Sequence, residues 1–286
     1  MMSPTTLLIH VDSNETNDAV SLLLLFAKRT PSEVIESTMA DIHDAAREGD
    51  LNKVQQLVER EFVSVNAKDN TGETPLHWAS RKGHMSVVKY LLGKGADIHV
   101  KNNHGNIPLH CTSWYGHLPV VKFLVRKGAD IHAQNKYGST PLHIACPNGH
   151  TAVVKFLVRK GADIHAQDDE GSTPLHLACY NCHLSVVEYL VRKGADIHVR
   201  NNHGWKPLHE ASMKGHLSVV EYLVGKGADI HVETLDGDTP LGIAIQRGKQ
   251  DVVDYLERMT KVRQRHSFVL YLVQESFFNK MNSEEE

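Results

Sequence analysis

Residues Gly138–Glu170 read GSTPLHIACPNGHTAVVKFLVRKGADIHAQDDE, and Gly171–His203 read GSTPLHLACYNCHLSVVEYLVRKGADIHVRNNH. These are two consecutive 33-residue versions of one sentence. The same spacing extends outward in both directions. Glycines at 72, 105, 138, 171, 204 and 237 each open a copy. A fixed period of this length marks a repeat architecture, so every local motif has to be read in that register.

The template has a physical reading. In Thr74-Pro75-Leu76-His77 the threonine hydroxyl is suited to cap a helix, and proline is tolerated at the first helical position. A short helix runs to Gly83, where glycine suits a left-handed stop. A second helix follows, with Val87, Val88, Leu91 and Leu92 forming one apolar stripe. Gly95-Ala96-Asp97 then turns the chain into an exposed hairpin-like loop that leads to the next glycine. A single unit of this kind cannot bury its own stripe, so the units must stack.

With TPLH literal at Thr74–His77, Thr140–His143 and Thr173–His176, the run resembles the ankyrin-repeat family, whose signature is T-P-L-H-x-A in a 33-residue unit. The motif becomes Ile107-Pro-Leu-His110 and Lys206-Pro-Leu-His209 in two copies and Thr239-Pro-Leu-Gly242 in the last. The resemblance covers residues 40–259 and implies an all-α helical repeat solenoid: paired antiparallel helices with protruding hairpin loops. A weaker copy precedes the six, because Ile42–Gly49 aligns with Leu76–Gly83, with Asp44 in place of Trp78 and Gln55-Gln56 in the second helix. Polar substitutions at an end unit suit a solvent-facing cap. The expected organisation is an N-terminal extension (1–38), an N-terminal capping repeat (39–71), five full repeats (72–236), a C-terminal capping repeat (237–259) and a tail (260–286). Met39 is a candidate true start; the alternative is a disordered arm with one short apolar helix. The tail is expected to add a helix on the last repeat or to dock a partner or membrane surface through Phe268–Val273.

Two departures should weaken the stack locally. Ile107 and Lys206 lack the capping hydroxyl, at a cost of roughly 1 kcal/mol each. Ile107→Thr is therefore expected to raise the melting temperature. Pro147 lies late in a first helix and removes a backbone donor.

Composition narrows the function classes. With 31 Lys+Arg against 34 Asp+Glu, the charge balance gives no reason to expect nucleic acid or anionic lipid as the main partner. Four cysteines, at 111, 146, 179 and 182, are too few for a disulfide scaffold and suit a reducing compartment. The longest apolar run near the N-terminus, Ala19–Ala27, is short of the roughly 20 residues that span a bilayer. Its acidic upstream flank and trailing Lys28-Arg29 do not suit a secretory signal.

Several motifs imitate chemistry. Fifteen of the 20 histidines occupy template positions: the TPLH histidine (77, 110, 143, 176, 209), the turn histidine (84, 117, 150, 183, 216) and the GADIH histidine (99, 132, 165, 198, 231). The resemblance implies backbone and inter-repeat hydrogen bonding for such positions, and it departs from the family at the GADIH histidine, where asparagine is usual. Equivalents stacked roughly 8–10 Å apart are too far apart to share a zinc ion. Cys179-Tyr-Asn-Cys182-His183 spells the haem-attachment pattern C-x-x-C-H. In register, however, Cys179 falls in a small-residue slot and Cys182 in the turn-glycine slot. No phosphate loop, nucleophile elbow or kinase signature is present. No catalytic residue, metal, cofactor or small-molecule substrate is expected.

Function then lies in the slots the template leaves free: the two residues before each opening glycine, the one after it, and the two before the inter-helix turn glycine. Two of the three tryptophans fall there. Trp114, Tyr115, Tyr137, Tyr180 and Trp205 are the expected anchors for a protein partner, with Arg81, Lys82, Asp169, Glu170 and Lys214 at the rim. The implied role is non-catalytic protein binding on a concave face by a cytosolic, monomeric adaptor, scaffold or inhibitor, with no nucleic-acid partner and no membrane expected. The alternatives are a redox or haem protein using Cys179 and Cys182, a membrane-associated scaffold using the tail, and a host-directed effector of an intracellular bacterium.

Overall fold

The structure is a computed structural model that describes residues 41–262 and positions 265 and 274. The N-terminal extension with its alternative start, and the apolar run Phe268–Val273, lie outside the described residues. Among the described residues there are fourteen helices. They come in pairs: α1 (41–48) with α2 (Leu51–Glu59), α3 (Pro75–Lys82) with α4 (Met85–Gly93), α5 (Pro108–Tyr115) with α6 (Leu118–Arg126), and α7 (Pro141–Ala145) with α8 (Thr151–Arg159). Next come α9 (Pro174–Tyr180) with α10 (Leu184–Arg192), α11 (Pro207–Lys214) with α12 (Leu217–Gly225), and α13 (Pro240–Gln246) with α14 (250–262). The last helix runs past Met259, so the start of the tail continues α14 rather than forming a separate helix.

Each pair is closed by a tight turn. Gly83, Gly116, Gly149 and Gly215 adopt φ between 69° and 78°, in the left-handed region that a side chain disfavours. A Cβ on Gly116 would also run into the ring of His150. Cys182 occupies this slot with φ of 62° and is one of two non-glycine residues at positive φ among the described residues. Pro147 has the expected effect: α7 has five residues where α3, α5 and α11 have eight.

The pairs stack in two layers, first helix against first helix and second against second. Leu76, Leu109, Leu142, Leu175 and Leu208 of the first helices are fully buried, as are the paired valines Val153-Val154 and Val186-Val187 and the leucines Leu91, Leu124, Leu157, Leu190 and Leu223 of the second. Each such side chain contributes about 1.5–3 kcal/mol by leaving water. Leu92 is only half-buried and sits at the edge of the stripe.

The first helices are joined by a ladder of histidines. His77 Nδ1 accepts the backbone N–H of Thr74 at 3.1 Å, and Nε2 meets the carbonyl of Asn106 in the next unit at 2.9 Å. A carbonyl can only accept and an N–H can only donate, so the ring is the neutral tautomer with its proton on Nε2. His110, His143, His176 and His209 repeat the pattern, reaching Ser139, Ser172, Trp205 and Val232. Burial lowers the pKa of all five, to about 4 for His77, His110, His176 and His209.

This ladder adds to the expected capping role of the threonine, whose hydroxyl accepts the N–H of His143 at Thr140 (3.4 Å) and of Gly242 at Thr239 (3.1 Å). The hydroxyls of Thr74, Thr140 and Thr173 lie 2.8–2.9 Å from the histidine Nδ1. At Ile107 and Lys206 the histidine still accepts the N-cap amide, at 3.2 and 2.9 Å. The histidine therefore satisfies that amide in every copy that has one. Ile107, 1% exposed, adds apolar burial where its counterparts carry a hydroxyl.

Candidate protein-binding face

The hairpins are built by a residue that the sequence reading did not single out. Asp69, Asn102, Asn135, Asp168 and Asn201, three before each glycine, accept through one side-chain oxygen the N–H groups two and four residues on. Each tip is then tied to its neighbour by main-chain bonds. Asn103, Lys136, Asp169, Asn202 and Leu235 donate their N–H to the carbonyls of Thr71, His104, Tyr137, Glu170 and His203. The side chains of Thr71, His104, Tyr137, Glu170 and His203 thus stand in one row on a hydrogen-bonded frame.

The first helices contribute a second row. Each turn histidine uses Nε2 to pin the carbonyl of the residue two before the preceding turn slot: His117 on Arg81, His150 on Trp114, His183 on Pro147 and His216 on Tyr180, at 2.7–2.9 Å. The backbone behind these positions is fixed while their side chains project. His84 does the same on Arg47 at 2.9 Å, so ten of the fifteen template histidines make the expected bonds between units. The five GADIH histidines are exposed instead; the one asparagine in that slot, Asn66, accepts the N–H of Asp97 in the next unit at 2.8 Å.

Between the rows lie two depressions. The larger cluster of exposed rings surrounds the first, of about 340 Å³, lined by Trp114, Tyr115, Tyr137, His104, Arg81 and Ile144 among others. Trp114 is 50%, Tyr115 46% and Tyr137 60% exposed, and Tyr137 stacks on His104 at 6.5 Å. Tyr180, 36% exposed, carries the Lys214 ammonium 4.0 Å above its ring. Asp169 and Glu170 are exposed on the hairpin, and Glu170 pairs with His203 at 3.0 Å. Lys82 is exposed.

Two of the expected site residues sit differently. Arg81 is half-buried rather than at the rim: it donates a short hydrogen bond to Glu73 and lies 4.5 Å over the Trp78 ring. Trp78, half-buried itself, also donates to Asp69 at 2.9 Å. Glu73 is buried, accepts from Asn102 at 3.0 Å, and has its pKa raised by that burial, with Arg81 opposing. Trp205 is half-buried and belongs to a second depression, of about 350 Å³, away from Trp114 and Tyr137. The slot after the glycine is not free in any copy: Glu73, Ser139 and Ser172 are buried, and Asn106, Trp205 and Asp238 are half-buried. At Asn106, Ser139, Ser172 and Trp205 the carbonyl serves the histidine ladder while the N–H serves the hairpin oxygen.

The cysteine pair does not form a chemical site. Cys179 is fully buried and its thiol is pushed well above the usual range by that burial, whereas Cys182 is exposed at the turn. Thioether formation or disulfide exchange needs an accessible thiolate. Cys111 is buried too, its thiol pushed up to about 12. Among the described residues, no group of three or more His, Cys, Asp or Glu is placed to hold a metal ion, and no helix is long and apolar enough to cross a membrane.

A family model described as ankyrin repeats matches residues 42–135, 127–201, 161–234 and 197–266. The chain is 37% identical over 95 residues to palmitoyltransferase AKR1 of Naumovozyma castellii, covering 32% of this chain and 12% of that protein. It is 45% identical over 56 residues to acyl-CoA-binding domain-containing protein 2 of Arabidopsis thaliana, covering 20% of this chain and 16% of that protein. A Caenorhabditis elegans homologue of transient receptor potential cation channel subfamily A member 1 is 46% identical over 55 residues, covering 19% and 4%. The matched stretches thus span between 4% and 16% of the length of these curated relatives.

Proposed function

This chain belongs to the ankyrin-repeat family, and on that premise we propose that it is a non-catalytic protein-binding array: an adaptor, scaffold or inhibitor whose concave face grips a protein partner across its middle repeats. The observation that carries this reading is the cluster of Trp114, Tyr115 and Tyr137, three large rings left about half exposed or more on neighbouring units around one depression. Aromatic side chains on a fixed backbone are the usual energetic centres of protein interfaces. Tyr180, Asp169, Glu170, Lys82 and Lys214 extend the contact along both rows, and residues 39–71 and 237–259 close the array as its polar ends. The acyl-transfer and acyl-CoA-binding names of two relatives belong to proteins matched over 12% and 16% of their length, so those activities are not carried over. A reducing compartment such as the cytosol suits four cysteines that are all free thiols, three of them buried.

Quantitative affinity capture compares the wild-type chain with Trp114→Ala/Tyr137→Ala. Both positions are exposed, so the variant should keep its helical circular dichroism and melting temperature. Loss of anchors of this kind costs about 2 kcal/mol or more each, so the partner should fall by well over tenfold. A folded double variant that retains every partner of the wild type would refute this reading.

A further inference from the structure

The second depression has a composition that the rest of the array does not share. It is bounded by the hairpin tips at His203 and Asp236 and by α11, which supplies Glu210 and Met213, with Trp205 forming one wall. Glu210 breaks the template inside the array: the equivalent slot holds Trp78, Cys111, Ile144, Leu177 and Ile243, and another acid, Asp44, stands there in the N-terminal capping repeat. An acid in a position reserved for apolar side chains is a departure that stacking does not require. Glu210 takes part in no side-chain hydrogen bond or ion pair with the described residues, and neither does Asp236. Neighbouring basic groups are engaged elsewhere: Lys214 on the Tyr180 ring, His203 with Glu170, and Arg200 with the carbonyls of Gly204 and Glu233.

We propose that this depression receives a lysine or arginine side chain of the protein partner. The charged head meets the Glu210 and Asp236 carboxylates, and the aliphatic stem lies along Trp205 and Met213. Three features converge on a basic side chain. Two carboxyl groups that make no ion pair among the described residues supply the charge. An indole wall attracts a cation and also packs against its methylenes. A volume of about 350 Å³ is in the range of side-chain-sized pockets. Burial raises the Glu210 pKa to about 7, with Lys214 and His203 opposing, and a cation entering the depression would favour the charged form. The inference rests on the reading of the chain as a protein-binding array, and it adds the chemistry of one contact.

The test follows the tryptophan indole N–H resonances of the full ¹⁵N-labelled chain, which has three tryptophans. Trp205→Phe assigns the signal. The probes are N-acetyl-arginine methylamide, N-acetyl-lysine methylamide and, as a neutral control, N-acetyl-norleucine methylamide. The expected result is a saturable shift of the Trp205 signal with one or both basic probes and at least about tenfold weaker binding of the neutral one. Glu210→Gln/Asp236→Asn should weaken the basic probe by about tenfold or more. Glu210→Leu, which restores an apolar residue, serves as a second variant if the first loses dispersion. A motionless Trp205 signal, an equal response to norleucine, or unchanged affinity in the folded carboxylate variants would overturn the proposal. The readout does not involve the middle rings, so its failure and a failure of the Trp114/Tyr137 experiment are separate results.

Discussion

The histidine ladder predicts that acid dismantles the array well above the pH at which ordinary carboxylates titrate. His77, His110, His176 and His209 have a folded-state pKa near 4, against 6.5 for an unhindered imidazole. Above pH 6.5 both states are neutral and the rings cost nothing. Below it the unfolded chain takes up protons that the folded chain refuses, so stability falls as pH falls, until the folded rings titrate near pH 4. At pH 5.5 each ring removes about 1.4 kcal/mol, and the four together remove roughly 5–6 kcal/mol. Glu210 works in the opposite direction: its raised pKa returns about 1.5 kcal/mol between pH 7 and pH 5.5. A net loss of roughly 4 kcal/mol is a large share of the 5–15 kcal/mol that holds a folded protein together. Thermal melts by circular dichroism from pH 7.5 to 5 should show a steadily falling midpoint. The denaturation free energy should acquire a slope of about two to three protons near pH 5.5. A midpoint that stays level from pH 7 to 5 would refute the assigned tautomer and the burial argument together.

Other outcomes follow from single positions. Lys206→Thr should raise stability by about 0.5–1 kcal/mol by giving His209 the hydroxyl its counterparts have. Ile107→Thr, first expected to stabilise, should instead fall within about 1 kcal/mol of wild type, because the hydroxyl is gained at the expense of buried apolar surface; paired urea titrations compare the two. Cys182→Gly should stabilise by about 1 kcal/mol, since it removes a side chain from a left-handed turn; an unchanged denaturation midpoint would mean that the turn bears no strain. Pro147→Arg should lengthen α7 toward its eight-residue counterparts and raise the melting temperature. A lower melting temperature would show that the turn pinned by His183 requires the proline.

Most of the scaffold was readable from periodicity. A 33-residue glycine spacing and a valine-valine-leucine stripe identify which slots recur, and recurrence is what stacking demands. Periodicity does not say whether a recurrent slot serves through its side chain or through its backbone. The spacing therefore points to the threonine, whose hydroxyl caps at Thr140 and Thr239, but not to the histidine that takes the N-cap amide beside it or to the Asp or Asn three before each glycine. The residue after the glycine reads as free because its identity varies, yet its backbone is engaged and its side chain turns inward, as where Glu73 meets Arg81 and Asn102. Trp205 and Arg81 were assigned outward for the same reason, although one leans over Glu210's pocket and the other closes on buried Glu73. Glu210 could have been found, since an acid among Trp78, Cys111, Ile144, Leu177 and Ile243 stands out once the copies are aligned.

Each pair of successive hairpin tips shares a main-chain bond, to which side chains such as Asn103, Asn202 and His203 add their own. Exchanging a fingertip residue therefore leaves the main-chain seam intact, and duplicating a whole unit extends the seam with the same stitch. Such a lineage can rewrite what it recognises one letter at a time, or lengthen its reach in steps of 33 residues, without renegotiating how it folds.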